Sequence, residues 1–427
     1  MSRPPRPSGD FSDRYRIPAA SPAAGSAADE RAVRESALES LGARPGRLCS
    51  LAWFEDVLRD PGRFLPDGPV IGAFCNFAPE ELIEAAGAVP VRLCTGSIVA
   101  ESVAEQTLPR DICPVARASF GAVAGRLGLA AQAKALVLPV CCDAKRRLGE
   151  VLNDYLPVIS LSVPPRSDHR TELDYWLSEL ERVAESLSEV TGSRVTRGRL
   201  REGILRGRAR ADAFRSLEKA RLRFPHMLAG RDLALVAAAS FVAEPLTWAD
   251  NVRQVADELR ARGPDTPLPV PFLPLVLTGA PVLWPGWKLY EVIEGAGGTV
   301  VADTLCSVTQ RLYDPVEVDD WSRSGMMRAL ALRSFSGSLC PCFIDTTAQT
   351  DRVIELVQEW RARGVVAHNL RLCQLFEMQC ARLRHVLRSE GIPFLAVHTE
   401  LGTQDTEQIR VRVEAFLEML REQQGSP

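Results

Sequence analysis

Apolar and polar positions change rhythm twice along this chain. A strand–turn–helix alternation fills the first part, helical periodicity alone fills the middle, and the alternation returns toward the end. Helical signals begin near Glu30 and run intermittently to Leu58. Residues 69–74 (PVIGAF) then read as a buried strand. Cys75 follows, and after it a helix over 79–86, with a Pro and two acids in its first turn and Gly87 at its end. Residues 89–93, 135–140 and 157–163 repeat the strand pattern, with a helix over 144–153. From Thr171 the strand signal stops. Amphipathic helices are predicted over 173–190, 195–222, 232–243 and 250–262. A Pro-rich run at 263–274 reads as a linker. Beyond it, strands at 273–279, 298–303, 364–369 and 394–399 alternate with helices over 288–294, 350–363, 375–389 and 406–420.

Strands that alternate with helices form parallel sheets. The expected fold class is therefore α/β, with two Rossmann-like lobes of short parallel sheet joined by a helical insertion. The expected limits are a disordered N-terminal arm at 1–30, a first lobe at 31–170, a helical bridge at 171–264 and a second lobe at 265–427. The arm is Pro-, Ala- and Ser-rich and offers little to bury.

The chain has 427 residues, 46% of them hydrophobic, enough for two cores. Its formal net charge of -3 disfavours nucleic acid as a partner. No apolar run has the length of a membrane span, and the polar N-terminus has no signal-peptide h-region. A cytoplasmic location is expected, where thiols stay reduced. This changes how the 11 cysteines read, because an odd count in a reducing compartment is not a disulfide framework.

Their placement carries more than their number. Cys75, Cys142, Cys306, Cys373 and Cys340 fall where a predicted strand or loop gives way to the next element. Ligands of open α/β sheets bind beyond the carboxyl ends of the strands, so thiols gathered there point to a metal cluster. Cys113 precedes Pro114, which puts it at a helix N-cap, where free N–H groups favour a thiolate. Cys142 before Asp143 and Cys373 before a helix follow the same logic. Cys141 stands beside Cys142 and Cys342 beside Cys340, so either member of each pair could be a ligand. No two close Cys/His pairs suggest structural zinc. Cys49, Cys94 and Cys380 lie in ordinary apolar patterns and read as packed hydrophobes. Phe74, Phe77, Trp284, Trp287 and Phe343 would keep a site dry, or simply fill the core.

Other features read more plainly. Residues 195–223 carry nine arginines and one lysine, a solvated helix face or else a docking face for an acidic partner or for phosphate groups. His368 is the one histidine near the strand ends and reads as a hydrogen-bonded core residue. The glycines at 295–298 end a helix and do not form a dinucleotide fingerprint. There is no P-loop, so the chain is not expected to hydrolyse ATP.

Several blocks in order resemble a known family. They are 72–81 (GAFCNFAPEE), 85–94 (AAGAVPVRLC), 108–114 (LPRDICP), Cys142-Asp143-Ala-Lys145, Gly279-Ala-Pro281 with Trp287-Lys288, 391–393 and 404–406. The chain resembles the 2-hydroxyacyl-CoA dehydratase and benzoyl-CoA reductase family from roughly Gly68 to Leu420, and within it the double-cubane-cluster reductases. That resemblance implies two α/β lobes around iron–sulfur clusters, with a 4Fe-4S cluster on Cys113, Cys142 and Cys373. In the double-cubane branch a bridging sulfide joins two such units into an 8Fe-9S cluster. The second unit would take Cys75, Cys306 and Cys340. It also implies an ATP-hydrolysing iron–sulfur activator that feeds in low-potential electrons under anaerobic conditions.

Three functions follow as expectations. The first is a homodimeric iron–sulfur oxidoreductase that reduces a small molecule at a double-cubane-type cluster. The alternative is one subunit of a 2-hydroxyacyl-CoA dehydratase or benzoyl-CoA-type reductase, with a single 4Fe-4S cluster and a paralogous partner subunit. The third is an electron-transfer or cluster-assembly protein on the same scaffold.

Overall fold

The computed structural model describes residues 26–42, 46–268, 272–336 and 338–425. Most of the expected N-terminal arm, and the middle of the Pro-rich run, lie outside them. A helix over Ser26–Gly42 begins four residues before Glu30, so the end of the expected arm is helical. Glu30 explains the early start: it is buried, accepts a hydrogen bond from Ser97 Oγ, and pairs with Arg34 one turn on.

Eight parallel strands form two four-stranded sheets. The first holds β1 (Val70–Ala73), β2 (Val89–Arg92), β3 (Ala133–Val140) and β4 (Val158–Ser162), in the order β2-β1-β3-β4. The second holds β5 (Pro274–Gly279), β6 (Thr299–Asp303), β7 (Gly364–Leu370) and β8 (Phe394–Thr399), in the order β6-β5-β7-β8. Every predicted strand is present, and the two lobes share one topology. The inner strands β1 and β7 are buried along their whole length, as expected of a parallel sheet covered on both faces. At Gly72 in β1, a Cβ would lie 2.5 Å from Leu93 Cδ1 and 2.6 Å from Leu136 Cδ2, so only glycine lets both neighbours close over the strand.

Between the sheets in sequence run helices Arg170–Thr191, Arg197–Arg223, Gly230–Ala239 and Pro245–Arg262. Their ends follow local chemistry. Gly192 closes the first in the left-handed region, Thr196 caps the second through Arg199 N, and Glu244 caps the fourth ahead of Pro245. The first lays Leu173, Trp176, Leu180, Val183 and Leu187 on the face of the first sheet, against Ile71 and Val137. The third joins the lobes: Leu233 and Val236 share one core with Leu136 of β3 and with Leu275 and Val366 of the second sheet.

Helices over Ile98–Ala104, Thr309–Tyr313 and Arg323–Ser336 have no counterpart among the predicted elements. The helix Pro114–Ala124 is predicted only at its proline start. It crosses Ile98–Ala104 so closely that a Cβ on Gly121 would fall 1.7 Å from Ala100 O. That contact fixes where its N-terminus, and with it Cys113, can sit.

Candidate functional site: a thiol-lined chamber between the lobes

The strand order reverses direction between β1 and β3 in one sheet and between β5 and β7 in the other. Such switch points open a crevice at the carboxyl ends of the strands. Here both crevices face a common chamber of about 1160 Å³, its mouth included. Cys75, Cys113, Cys142, Cys306, Cys340 and Cys373, the six predicted ligands, all line it. Cys94 and Cys141 line it too, for eight thiols in all, and Cys342 packs beside the first-sheet core.

Local structure delivers each thiol. Cys113, Cys142 and Cys373 are the N-cap residues of Pro114–Ala124, Asp143–Leu152 and Gln374–Ser389. Three helix dipoles therefore end at the chamber wall, each favouring negative charge. Cys75 leaves β1 with φ 68, and Leu372, just before Cys373, has φ 66. Residues without a glycine's freedom adopt that region only where their surroundings hold them there, and such strain gathers at functional sites. Cys306 sits on a loop pinned by buried Asp303, which accepts from Leu305 N at 2.9 Å and Thr309 N at 3.2 Å.

The thiols interact in two groups. Cys113 of the first lobe meets Cys373 of the second. The Cys373 thiol, helped by the Ala116 and Val115 N–H groups, draws Cys113 down to about 6 against the cost of burial. Cys373 is raised in turn. The second group centres on Cys141, held well below the usual thiol range by Cys142, Cys340, Cys342 and Cys75. Burial lifts Cys306 to about 11. Lys145 Nζ lies 3.3 Å from Cys141 Sγ. Burial opposes its charge, but Cys141, Cys75 and Cys94 outweigh that and raise its pKa.

What this donor set can hold follows from its chemistry. The chamber offers eight thiols, the cations Arg92 and Lys145, and no carboxylate or imidazole among the described residues. Soft thiolates alone suit iron–sulfur clusters, and two cations would balance an anionic one. Among the described residues, no three Cys, His, Asp or Glu side chains converge tightly enough for a single ion. A multi-iron cluster is wider than one ion and needs its thiols farther apart. The walls are apolar, with Phe74 and Phe77 at the chamber and Phe343 behind Phe77 at 5.7 Å. Trp284 and Trp287 meet at 4.7 Å with their rings tilted by 58°, and both line a neighbouring cavity.

Residues 75–420 match the family described as 2-hydroxyglutaryl-CoA dehydratase, D-component. The chain belongs to this family. It is 26% identical over 356 residues to "Putative dehydratase subunit YjiM" of Escherichia coli, covering 82% of this chain and 91% of that protein. It is 20% identical over 378 residues to the (R)-phenyllactyl-CoA dehydratase beta subunit of Clostridium sporogenes, 86% of this chain and 97% of the relative. It is 23% identical over 365 residues to the (R)-2-hydroxyglutaryl-CoA dehydratase subunit beta of Acidaminococcus fermentans, 82% and 92% of the two chains. The family expected from the motifs is thus the right one. Within it the similarities favour the dehydratase-subunit alternative over the double-cubane reductase.

Sequence alone gives an incomplete reading of Cys94, at this dehydratase-family site, and a wrong one of Cys49, which does not line the chamber. Cys94 packs against the core as expected and also lines the chamber. Its signal is local, because Cys94 follows β2 much as Cys75 follows β1. Cys49 is exposed and accepts from Arg262 Nη2 at 3.3 Å, rather than being a packed hydrophobe. Cys380 is buried as expected. His368 is a core residue, bonded to Ala280 O and Thr399 Oγ1 at 2.7 Å each, and burial lowers it to about 4. In the Arg-rich helix only Arg210 and Arg221 among the basic residues are buried, while Arg197, Arg199, Arg201 and Arg206 face solvent. No described helix is long and apolar enough to cross a membrane.

Proposed function

We propose that this chain is a subunit of a 2-hydroxyacyl-CoA dehydratase-type enzyme, holding a 4Fe-4S cluster on Cys113, Cys142 and Cys373. The observation that carries this reading is that those three thiols cap three different helices and line one chamber. The relatives named as dehydratase subunits support the substrate class, a 2-hydroxyacyl-CoA thioester that loses water. A bound cluster would supply single electrons at low potential. The residues of this chain do the rest. Helix N-termini favour the thiolates, Lys145 balances their charge, and the aromatic walls keep water out. An ATP-hydrolysing iron–sulfur activator and a paralogous partner subunit complete the proposal, in the cytoplasm.

A second reading has its own observation. The Cys141 group, with Cys75, Cys340 and Cys342 in contact and Cys306 across the chamber, exceeds what one cluster needs. A homodimeric reductase with an 8Fe-9S double cubane would use them. Iron and acid-labile sulfide per chain, measured after strictly anaerobic purification, separate the two. About four of each fits the dehydratase subunit, and about eight irons with slightly more sulfide fits the double cubane. Iron near zero, even after anaerobic reconstitution, would end both.

A further inference from the structure

We propose that Arg92 and Asn76 form an oxygen-binding site on the chamber wall, taking the carboxylate or thioester-carbonyl oxygen of a small 2-hydroxyacyl ligand. This deepens the dehydratase-type reading and rests on it for the ligand class. Both residues stand at the carboxyl edge of the first sheet. Arg92 ends β2, opposite Ala73 of β1, and Asn76 follows Cys75. Both line the thiol chamber, and Arg92 also lines the two cavities beside it.

Each of these two lining residues keeps one side-chain donor without a partner among the described residues. The Arg92 side chain is only 6% exposed, and its guanidinium lies 4.7 Å from the Phe241 ring centre. Its Nη1 donates to Asn76 Oδ1 at 3.2 Å, and its Nη2 reaches Glu80 Oε1 only at 3.4 Å. Arg92 Nε and Asn76 Nδ2 are buried with no partner among the described residues. Oδ1 is engaged by Arg92, and the unpartnered Nδ2 leaves the amide two N–H groups to donate. Buried donors without partners are rare in folded proteins and mark places where something else belongs.

Nor is the charge of Arg92 matched. Glu80 spends its oxygens on Arg311, at 2.9 Å from Nε and through a second bond from Nη2, and on Arg210 at 3.1 Å. One carboxylate thus serves three guanidinium groups. A planar guanidinium beside an amide donor suits an acyl oxygen, whose lone pairs lie in one plane.

The test is calorimetric titration of the full chain, purified anaerobically, with lactoyl-CoA, lactate and CoA as probes. Lactoyl-CoA or lactate should bind, and Arg92→Lys should weaken that binding at least tenfold while leaving CoA unaffected. Lysine keeps the charge but loses Nε–H, so a role confined to balancing thiolate charge would survive it. Asn76→Asp, which turns the donor into an acceptor, should remove binding of the same probe. The proposal is overturned if both variants bind as tightly as the parent. It is also overturned if the parent binds CoA but discriminates neither acyl probe, or if Arg92→Lys weakens CoA equally. Iron content, measured on the same samples, reports separately on the dehydratase-type reading. Lactate discrimination places a free carboxylate at the site, and lactoyl-CoA discrimination places a thioester carbonyl there.

Discussion

The two lobes share a strand order but use their strand ends differently. In the second lobe several polar groups at the strand ends bond one another, although buried Asn369 and Ser307 Oγ have no side-chain hydrogen bond among the described residues. Thr278 bonds Thr304 at 2.7 Å, His368 bonds Ala280 and Thr399, and Asp303 holds the Cys306 loop. In the first lobe the strand ends face the chamber with Cys75, Asn76, Arg92, Cys94, Cys141 and Cys142. The second lobe thus lines the chamber with three thiols, Cys306, Cys340 and Cys373, and the first supplies the other five together with Arg92 and Lys145. The same topology positions both, because a parallel sheet with its switch point open leaves a crevice at the same place each time. What differs is how many thiols and cations each set of strand ends brings to it.

The largest effect expected is on metal content. Cys113→Ser and Cys373→Ser each remove one member of the pair that joins the lobes, so either should lose nearly all the iron of a single cluster. Cys340→Ser should leave that iron in place, and so should Cys49→Ser, which does not line the chamber. Elemental analysis of anaerobically purified variants checks this. Iron retained in Cys373→Ser would mean that the first lobe holds the cluster without help.

Next comes stability, and again the lobes should differ. Glu80 is buried, and although burial pushes it up, Arg311, Arg210 and Arg92 outweigh that and hold it well below the usual carboxylate range. Glu80→Gln leaves three guanidinium groups without a carboxylate and should cost about 3–5 kcal/mol. Asp303→Asn in the second lobe keeps an oxygen acceptor toward its loop and should cost only about 1–3 kcal/mol. Urea unfolding of the iron-free proteins gives both values. The reverse ranking would show the Asp303 loop, not the charge cluster, to be the more costly part to disturb.

These contrasts also show what the residues reveal before folding. All eight strands are legible: β1 and β7, buried throughout, are mainly apolar runs, while outer strands such as β2 and β4 alternate buried with more accessible positions. The thiol chamber is legible because Cys75, Cys142, Cys306 and Cys373 each follow such a run or the loop after it. The contacts between lobes are not. Glu80 meets Arg311 across 231 positions and Glu81 meets Arg333 across 252, and nothing local to either end announces the pairing. The helix Arg323–Ser336, which carries Arg333, mixes Gly, Ser and Arg among its apolar residues and hides its buried Met326, Met327 and Leu330. Cys94 and Arg92 stand within one motif block, but their shared place on the chamber wall depends on how β2 pairs with β1.

The effect confined to one pH range is the most discriminating, because it compares a glutamate whose buried carboxylate has no hydrogen-bond partner among the described residues with one that is paired. Glu84 of the first lobe has neither carboxylate oxygen hydrogen-bonded among the described residues, and burial raises it from 4.5 to about 7. Glu218, in the helical bridge, is raised by burial to about 6, with Arg221 at 3.2 Å opposing the rise. A carboxyl group whose folded pKa is raised favours the folded state below its unfolded pKa and loses that contribution as pH climbs through the folded value. Glu84→Gln removes the loss. The variant should match the parent near pH 4 and exceed it by about 3 kcal/mol at pH 8, since each tenfold change in proton affinity between the folded and unfolded states is worth about 1.4 kcal/mol. Glu218→Gln should show no such gain, because it also takes the carboxylate from Arg221, whose side chain is fully buried and otherwise donates only to Leu228 O and Val300 O among the described residues. Denaturant unfolding of the three proteins at pH 4, 6 and 8 separates the cases. A flat difference for Glu84→Gln would place a cation, Arg206 or Arg210, against Glu84 in solution. The contrast between a partnered and an unpartnered buried acid would then disappear.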